Sequence, residues 1–291
     1  MNDLAPVIVA GIVSGASYAL LALGIVIIYR ATHTINFAIG DIATLGVFTS
    51  LYAVKFGMPV AAVLVTSVLV SGVIGIGVER LLVRPIGHGP DTLFVALVVT
   101  IGLGLFLHAS IGAIWGHRAT VVPPIVEGTV QIAGVVLSWN KVLATFIAIV
   151  ALSAVAWLFR ATEIGAAMRA TAEDHFAARL VGIQPSFVSA LAWFLGCGLA
   201  AVAAFIIAVD TSLNPNLTIS ALFRAFAGVF LGGTMSMAGA AIGGFVIGIL
   251  DNLAGRYFSA NYRDTIVFAV IVAVLFLRPN GFFGSKRSER V

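Results

Sequence analysis

Long uncharged apolar stretches recur along nearly the whole sequence, and they limit what the chain can fold into more than any other feature. About eight of them approach the length of roughly 20 residues that a helix needs to cross a bilayer. Only 10% of the 291 residues are charged, whereas about a quarter are charged in a typical soluble domain. We therefore predict an all-α polytopic membrane protein, with residues 1–291 forming a single transmembrane domain.

The spans follow from the apolar runs between charged or proline-containing segments. In chain order they are residues 4–29, 35–54, 56–78, 92–112, 139–159, 185–209, 217–250 and 263–277. Residues 115–138 contain Pro123 and Pro124 and then alternating Val and Ile near Thr129, which favours an extracytoplasmic loop with short strands. Residues 160–184 are polar and form a second long loop.

The segment near residues 221–250 differs from the other spans because it is rich in glycine, with pairs such as Gly228/Gly232 and Gly244/Gly248. This spacing lets helix backbones approach closely in lipid. Irregular backbone at membrane depth persists only where protein or a water-filled cavity surrounds it. We predict a broken or re-entrant helix that lines a pathway or gate, although tight packing alone also explains the glycines. The candidate residues are Gly232, Gly233, Thr234, Gly239 and Gly243.

Basic residues indicate the orientation, because Lys and Arg gather in cytoplasmic loops. With the 160–184 loop in the cytoplasm, the outside segments carry five basic residues and the inside segments carry ten. The ten are Arg30, Arg80, Arg84, Arg160, Arg169, Arg179, Arg278, Lys286, Arg287 and Arg290, and the five are Lys55, Arg118, Lys141, Arg256 and Arg263. The N-terminus is then outside and the C-terminus cytoplasmic. The basic tail stays inside only if residues 217–250 cross twice as short pieces, or enter and return.

A carboxylate and an amide are embedded near the start of the second predicted span, where Asn36, Gly40 and Asp41 lie. A charge in a membrane segment costs a few kcal/mol, so Asp41 must face protein, water or the headgroup boundary. We expect it about two turns inside the span, and about 140° around the helix from Asn36. Two interpretations stay open, a structural hydrogen bond and a direct pathway role. A proton relay is weaker, because no second intramembrane carboxylate is evident nearby.

The polar loop contains an alanine-rich run over residues 166–182, which favours a helix ended by Gly182. Met168, Phe176 and Leu180 recur at helical spacing and give it one semi-apolar face. Such a helix either docks a partner or lies on the membrane surface. No lysine follows a glycine as in a phosphate-binding loop, and the histidines lack metal-ligand spacing, so an enzyme is disfavoured.

Several motifs, spread in order over nearly the whole chain, resemble those of the permease subunits of branched-chain amino acid ABC importers of the LivH type. They lie at residues 19–24, 35–41, 169–174, 177–183, 225–233, 239–244 and 277–284. The chain departs from the family in having Ile39-Gly40-Asp41 where His-Gly-Glu is usual, and Met235-Ser-Met-Ala-Gly239 where a Gly-Ser turn is frequent.

The resemblance implies a bacterial inner-membrane protein that works with a second, related permease, two ATPase subunits and an extracytoplasmic binding protein. It also implies that residues 169–183 dock into the ATPase, and that ATP and Mg bind the partner subunits, with no cofactor on this chain. The candidate coupling residues are Arg169, Glu173, Asp174, Arg179 and Gly182. Related permeases carry branched-chain amino acids, urea, short amides or aromatic acids. The rival hypotheses are an ion-coupled secondary transporter, which the lack of an obvious partner for Asp41 disfavours, and a structural scaffold.

Overall fold

The computed structural model describes residues 4–51, 57–87, 92–132, 135–258, 262–278 and 281–284. Lys55, Lys286, Arg287 and Arg290, which entered the charge count, lie outside these ranges. The helices are α1 (Leu4–Thr32), α2 (Ile39–Ser50), α3 (Val60–Val78), α4 (Thr92–Trp115), α5 (Trp139–Ala161), α6 (Glu163–Glu173), α7 (His175–Leu180), α8 (Pro185–Asp210), α9 (Ile219–Gly232), α10 (Met237–Tyr257) and α11 (Arg263–Leu277). A π-helical turn, Glu79–Val83, and a 3-10 turn, Arg84–Ile86, continue α3.

Two helices, α1 and α8, form the centre of the bundle and are mostly buried. Both are apolar on nearly every face, as expected for helices surrounded by protein. They cross at Gly24 and Gly196, where a Cβ added to Gly24 would lie 2.7 Å from the carbonyl oxygen of Gly196. The absence of side chains at this crossing therefore lets the two backbones touch.

The other helices pack around this pair. Helix α10 lies antiparallel to α1, with Gly244 and Gly248 against the backbone of Ala19 and Gly15. Helix α3 packs against α8 where Gly75 meets Cys197. Helices α2 and α9 fill the remaining space around α1 and α8, and α4 covers α2. The core is thus built by small residues that bring helix backbones together, because lipid gives apolar side chains little reason to leave it.

Six helices of the described residues are long and apolar enough to cross a membrane: α1, α3 with its continuation, α4, α5, α8 and α10. The polytopic helical class is confirmed, whereas the prediction of about eight spans is not. The predicted second span begins at residue 35, but α1 extends to Thr32, His33 has a φ of 52°, and α2 starts only at Ile39. With 12 residues, α2 is about 18 Å long and too short to cross alone.

The glycine-rich segment folds as a helical hairpin, and the predicted break is confirmed. Helix α9 ends at Gly232, Gly233 has a φ of 103°, and α10 begins at Met237. The hydroxyl of Ser236 accepts a hydrogen bond from the Gly239 amide at 3.0 Å and caps α10. Residues 235–237 share a cavity with Leu23 and Arg30, so the turn lies near the Arg30 end of α1 rather than at its middle.

The segment before α5 contains the strands that the alternating residues predicted. Strands β1 (Thr129–Ile132) and β2 (Val135–Ser138) pair antiparallel, with Thr129 opposite Ser138. The preceding loop is held to the loop after α8 by a backbone bridge between Thr120 and Leu213. This hairpin leads directly into the first residue of α5, whereas Arg160 in the last turn of α5 lines the same cavity as Arg30. The hairpin therefore lies at the end of the bundle opposite Arg30.

Candidate functional site

Asp41 lies in the first turn of α2, not two turns inside a longer helix as predicted. Asn36 precedes the helix, so its predicted position on another helical face is wrong. Its side-chain oxygen accepts a hydrogen bond from the Ala38 amide at 3.0 Å, which forms the turn that leads into α2. Asn36 is buried, and its side-chain Nδ2 has no acceptor among the described residues. A buried amide donor without an acceptor is the kind of group that an ordered water usually satisfies.

His108 of α4 is the partner of Asp41, with Nδ1 and Oδ1 3.4 Å apart. The expectation that Asp41 lacks an obvious partner is therefore wrong. Both side chains are partly buried, at 28% and 16% exposure for His108 and Asp41. A histidine inside an otherwise apolar span was the sequence signal for this pair, since an ionisable residue at such a place calls for a partner.

The start of α2 is joined to α9. Gly40 packs on Thr218, where an added Cβ would lie 2.8 Å from the hydroxyl oxygen. Thr218 in turn shares a hydrogen bond of 3.0 Å with Thr44. The rings of Phe37 and Phe226 lie 5.0 Å apart. The two groups of predicted pathway residues are therefore not adjacent, but α9 connects them.

The hairpin glycines form backbone contacts between α9 and α10. An added Cβ on Gly239 or Gly243 would collide with the carbonyl oxygens of Gly232 or Gly228, respectively. Thr234 is half-buried in the turn. The carbonyls freed at the end of α9 are not left open, because the Phe282 and Phe283 amides donate to Leu231 and Gly232 at 2.9 and 3.1 Å. Close packing thus accounts for these glycines, and a role in a gate stays a prediction.

A second group of buried charges was not predicted from the sequence. Arg224 of α9 and Asp251 of α10 form a salt bridge of 2.9 Å, and both are almost fully buried. Arg224 also binds Asp264 at 2.9 Å, and the Tyr18 hydroxyl lies 3.4 Å from Asp251. Asp251 is thus a second carboxylate within the bundle, but its partner is Arg224 and not Asp41. Asp251 lies one residue beyond the predicted end of the glycine-rich segment, so it was not recognised as a carboxylate within the bundle.

The prediction of one continuous helix over residues 166–182 is wrong, because Asp174 divides this segment into α6 and α7. Its carboxylate accepts hydrogen bonds from the Phe176 and Ala177 amides at 2.7 and 3.0 Å and caps α7. These bonds lower the pKa of Asp174 below its usual value. The predicted apolar face is divided accordingly, since Met168 is buried whereas Phe176 and Leu180 are 71% and 74% exposed.

The candidate coupling residues are all exposed. Gly182 has a φ of 84° and ends α7, as predicted. Arg169 lines the cavity beside the hairpin turn, while Arg179 lines a different cavity of about 370 Å³ with Arg84 and Glu79. The loop thus contacts the bundle on two sides. Across the described ranges, no three His, Cys, Asp or Glu side chains come together as a metal site would require.

Comparison with known proteins agrees over nearly the whole chain. The family described as "Branched-chain amino acid transport system / permease component" matches residues 7–275. The high-affinity branched-chain amino acid transport system permease protein LivH of Escherichia coli K12 is 30% identical, over 97% of this chain and 96% of that protein. The corresponding permease protein BraD of Pseudomonas aeruginosa is 27% identical, over 98% and 97%.

The fold is shared with solved structures. One of them is PsaBC from Streptococcus pneumoniae in complex with Fab, with a TM-score of 0.52 over 94% of this chain and 91% of that one. Sequence identity is 11%, so the similarity concerns the fold alone.

Proposed function

The chain belongs to the permease components of branched-chain amino acid transport systems, and from that premise we propose how its described groups take part in transport. It is a transport subunit and not an enzyme. We assign it one half of a permease dimer whose other half is a related permease. Two ATPase subunits supply the energy, and an extracytoplasmic binding protein delivers a branched-chain amino acid or a related small solute.

The match of the family over residues 7–275 is the observation that carries this proposal. It favours an ATP-driven transporter over an ion-coupled one, even though the Asp41–His108 pair removes one argument against ion coupling. We assign the chain to a bacterial inner membrane, and the similarity to permeases of Escherichia coli and Pseudomonas aeruginosa supports this assignment. The Arg30, Arg160 and Arg169 end of the bundle is assigned to the cytoplasm by the excess of basic residues there.

We assign ATPase docking to α7 and the residues after it. Phe176, Leu180 and Val181 are each more than two-thirds exposed and form an apolar tip on a loop of otherwise polar residues. An exposed apolar group of this size at a helix tip is typical of a protein interface. Movement of α7 passes to α6 through the Asp174 junction. Arg169 places α6 beside the hairpin turn at residues 235–237.

The pathway assignment rests on the start of α2. Asn36, Asp41 and His108 supply polar groups within an apolar bundle, and α9 connects them to the hairpin. A shift of α9 against α10 would change the surroundings of Thr218 and Gly40 and so alter access to Asp41. This is the type of two-position packing that alternating access requires.

The docking proposal is tested with the variant Phe176→Ser/Leu180→Ser, assembled with its ATPase and binding-protein partners in proteoliposomes. We expect ATP-driven uptake and co-purification of the ATPase to be lost, while membrane insertion stays normal. Val121→Ser is the matched control, since Val121 is 80% exposed on the loop before β1. Uptake at the wild-type rate by the double variant would remove α7 from the coupling mechanism.

A further inference from the structure

A cavity of about 520 Å³ lies where α1, α5 and α6 meet the turn between α9 and α10. Three arginines line it, Arg30 at the end of α1, Arg160 at the end of α5 and Arg169 on α6. We call it the arginine cavity. It is separate from the Asp41–His108 pair and from the Arg224–Asp251 pair, neither of which contributes a lining residue.

The three arginines have no counter-charge at ion-pair distance among the described residues. Among the described residues none of them forms an ion pair or a hydrogen bond, whereas Arg84 is held by Glu79 and Arg224 by Asp251. Arg169 is close enough to Arg30 to repel it, and Glu173 attracts Arg30 from beyond ion-pair distance. Gathered cations at the edge of an apolar bundle repel one another, so an anion bound between them is stabilised.

Apart from Ser236 in the turn, the rest of the lining is apolar. Leu152, Val155 and Phe159 of α5 form one wall, and Met237 and Ala241 of α10 form the other. From Leu152 to Arg160 the apolar wall extends about 12 Å along the helix. Ala156 and Ala238, on opposite walls, are exposed, so the cavity opens between α5 and α10. Helix α5 is the least buried of the six long helices, so this opening lies on the outer surface of the bundle.

We propose that the arginine cavity binds an anionic phospholipid, with the phosphate among the arginines and an acyl chain along α5. Basic pockets between membrane helices on the cytoplasmic side suit such headgroups. The choice of leaflet rests on the orientation given under the proposed function, but binding itself does not. A lipid at this place would connect α6 with the α9–α10 turn, the two elements assigned to coupling.

The test is native mass spectrometry of the delipidated full-length chain with dioleoyl phosphatidylglycerol and dioleoyl phosphatidylcholine in competition. We expect phosphatidylglycerol to be preferred about tenfold or more, since each nearby basic residue contributes measurably to anionic lipid binding. Arg30→Gln/Arg160→Gln should abolish the preference. Arg80→Gln is the matched control, because Arg80 is an exposed arginine that does not line the cavity.

A second variant separates loss of charge from loss of fold. Ala156→Trp fills the opening and leaves all three arginines in place, and we expect it to displace the lipid while the thermal unfolding temperature is unchanged. Equal binding of the two lipids, or equal occupancy by glycerol phosphate without acyl chains, would overturn the proposal. So would loss of the lipid when a second permease subunit joins, because the cavity would then belong to that interface. None of these measurements depends on uptake, so a failure here leaves the transport proposal intact.

Discussion

Arg224 and Asp251 place opposite charges within 2.9 Å of each other in the bundle, with Arg224 on α9 and Asp251 on α10. The free-energy cost of taking two such charges out of water is offset by their mutual attraction only while both are present. The Ser220 carbonyl and the Tyr18 hydroxyl add hydrogen-bonding partners to the two charges. The pair therefore fixes how α9 and α10 meet, in addition to the glycine contacts near their turn.

We expect Arg224→Met to destabilise the protein by about 3–5 kcal/mol, because it leaves Asp251 as a buried charge without its main partner. The double variant Arg224→Met/Asp251→Leu should recover most of that loss, since it removes both charges and keeps apolar volume. Thermal unfolding in detergent measures both effects. If the double variant is as unstable as the sum of the two single variants, the charges are not energetically coupled.

The Asp41–His108 pair is assigned a role in transport rather than in folding, because both side chains are partly exposed although they lie in an otherwise apolar bundle. We expect Asp41→Asn and His108→Gln each to lower ATP-driven uptake about tenfold, the scale of one hydrogen bond to a charged group. Because the two groups act together, the double variant should lose little more than either single variant.

Ser110→Ala is the control for this prediction. Ser110 is on the same helix as His108, but it is half-buried, and among the described residues its hydroxyl donates only to the Phe106 carbonyl of its own helix. Its uptake should equal that of the wild type. Additive losses in the double variant would mean that Asp41 and His108 act separately.

At the scale of elements, the α9–α10 hairpin depends on glycine because its two backbones touch. Gly239→Ala would drive a methyl group into the Gly232 carbonyl, and overpacking of this type costs about 1–3 kcal/mol. Gly102→Ala is the matched control, since Gly102 lies in α4 with open space around its Cβ position, so this change should be neutral or slightly stabilising. Unfolding temperatures of the two variants measure the contrast. A stable Gly239→Ala variant would show that the helices can separate without loss.

Element boundaries were predictable where one local pattern decided them. Helix α8 begins at Pro185 and runs through an uninterrupted apolar stretch, and both features are visible in the sequence. Helix α2 was predicted too long because apolar residues continue from residue 35, although Asn36 forms a turn with Ala38 before the helix starts. Asp174 broke the loop helix for a related reason, since a short polar side chain competes for backbone amides. In both cases a side-chain oxygen accepts a hydrogen bond from a backbone amide two or three residues later. This local bond, and not the apolar pattern, determines where the helix starts.

At the scale of the whole molecule, what the sequence could not supply is the set of contacts between distant spans. Asp41 and His108 are 67 positions apart, and Tyr18 and Asp251 are 233 apart. Each of these residues stands out in its own span as a polar group in apolar surroundings. Nothing in one sequence says which of them meet, because helix packing in lipid is directed by small residues spread along every span. The same limit applies to the arginine cavity, whose lining comes from five separate segments.

The assigned orientation makes a prediction for the whole molecule that the single cysteine makes easy to test. Cys197 is fully buried at the centre of α8, so the unmodified chain should not react with a membrane-impermeant maleimide. Val121→Cys, on the loop before β1, should be labelled in intact cells because that loop is assigned to the outside. Phe176→Cys, at a position of α7 that is also exposed, should be labelled only after the inner membrane is permeabilised. The reverse labelling pattern would show that the bundle has the opposite orientation in the membrane. The apolar tip of α7 would then lie outside the cell, where no ATPase could reach it.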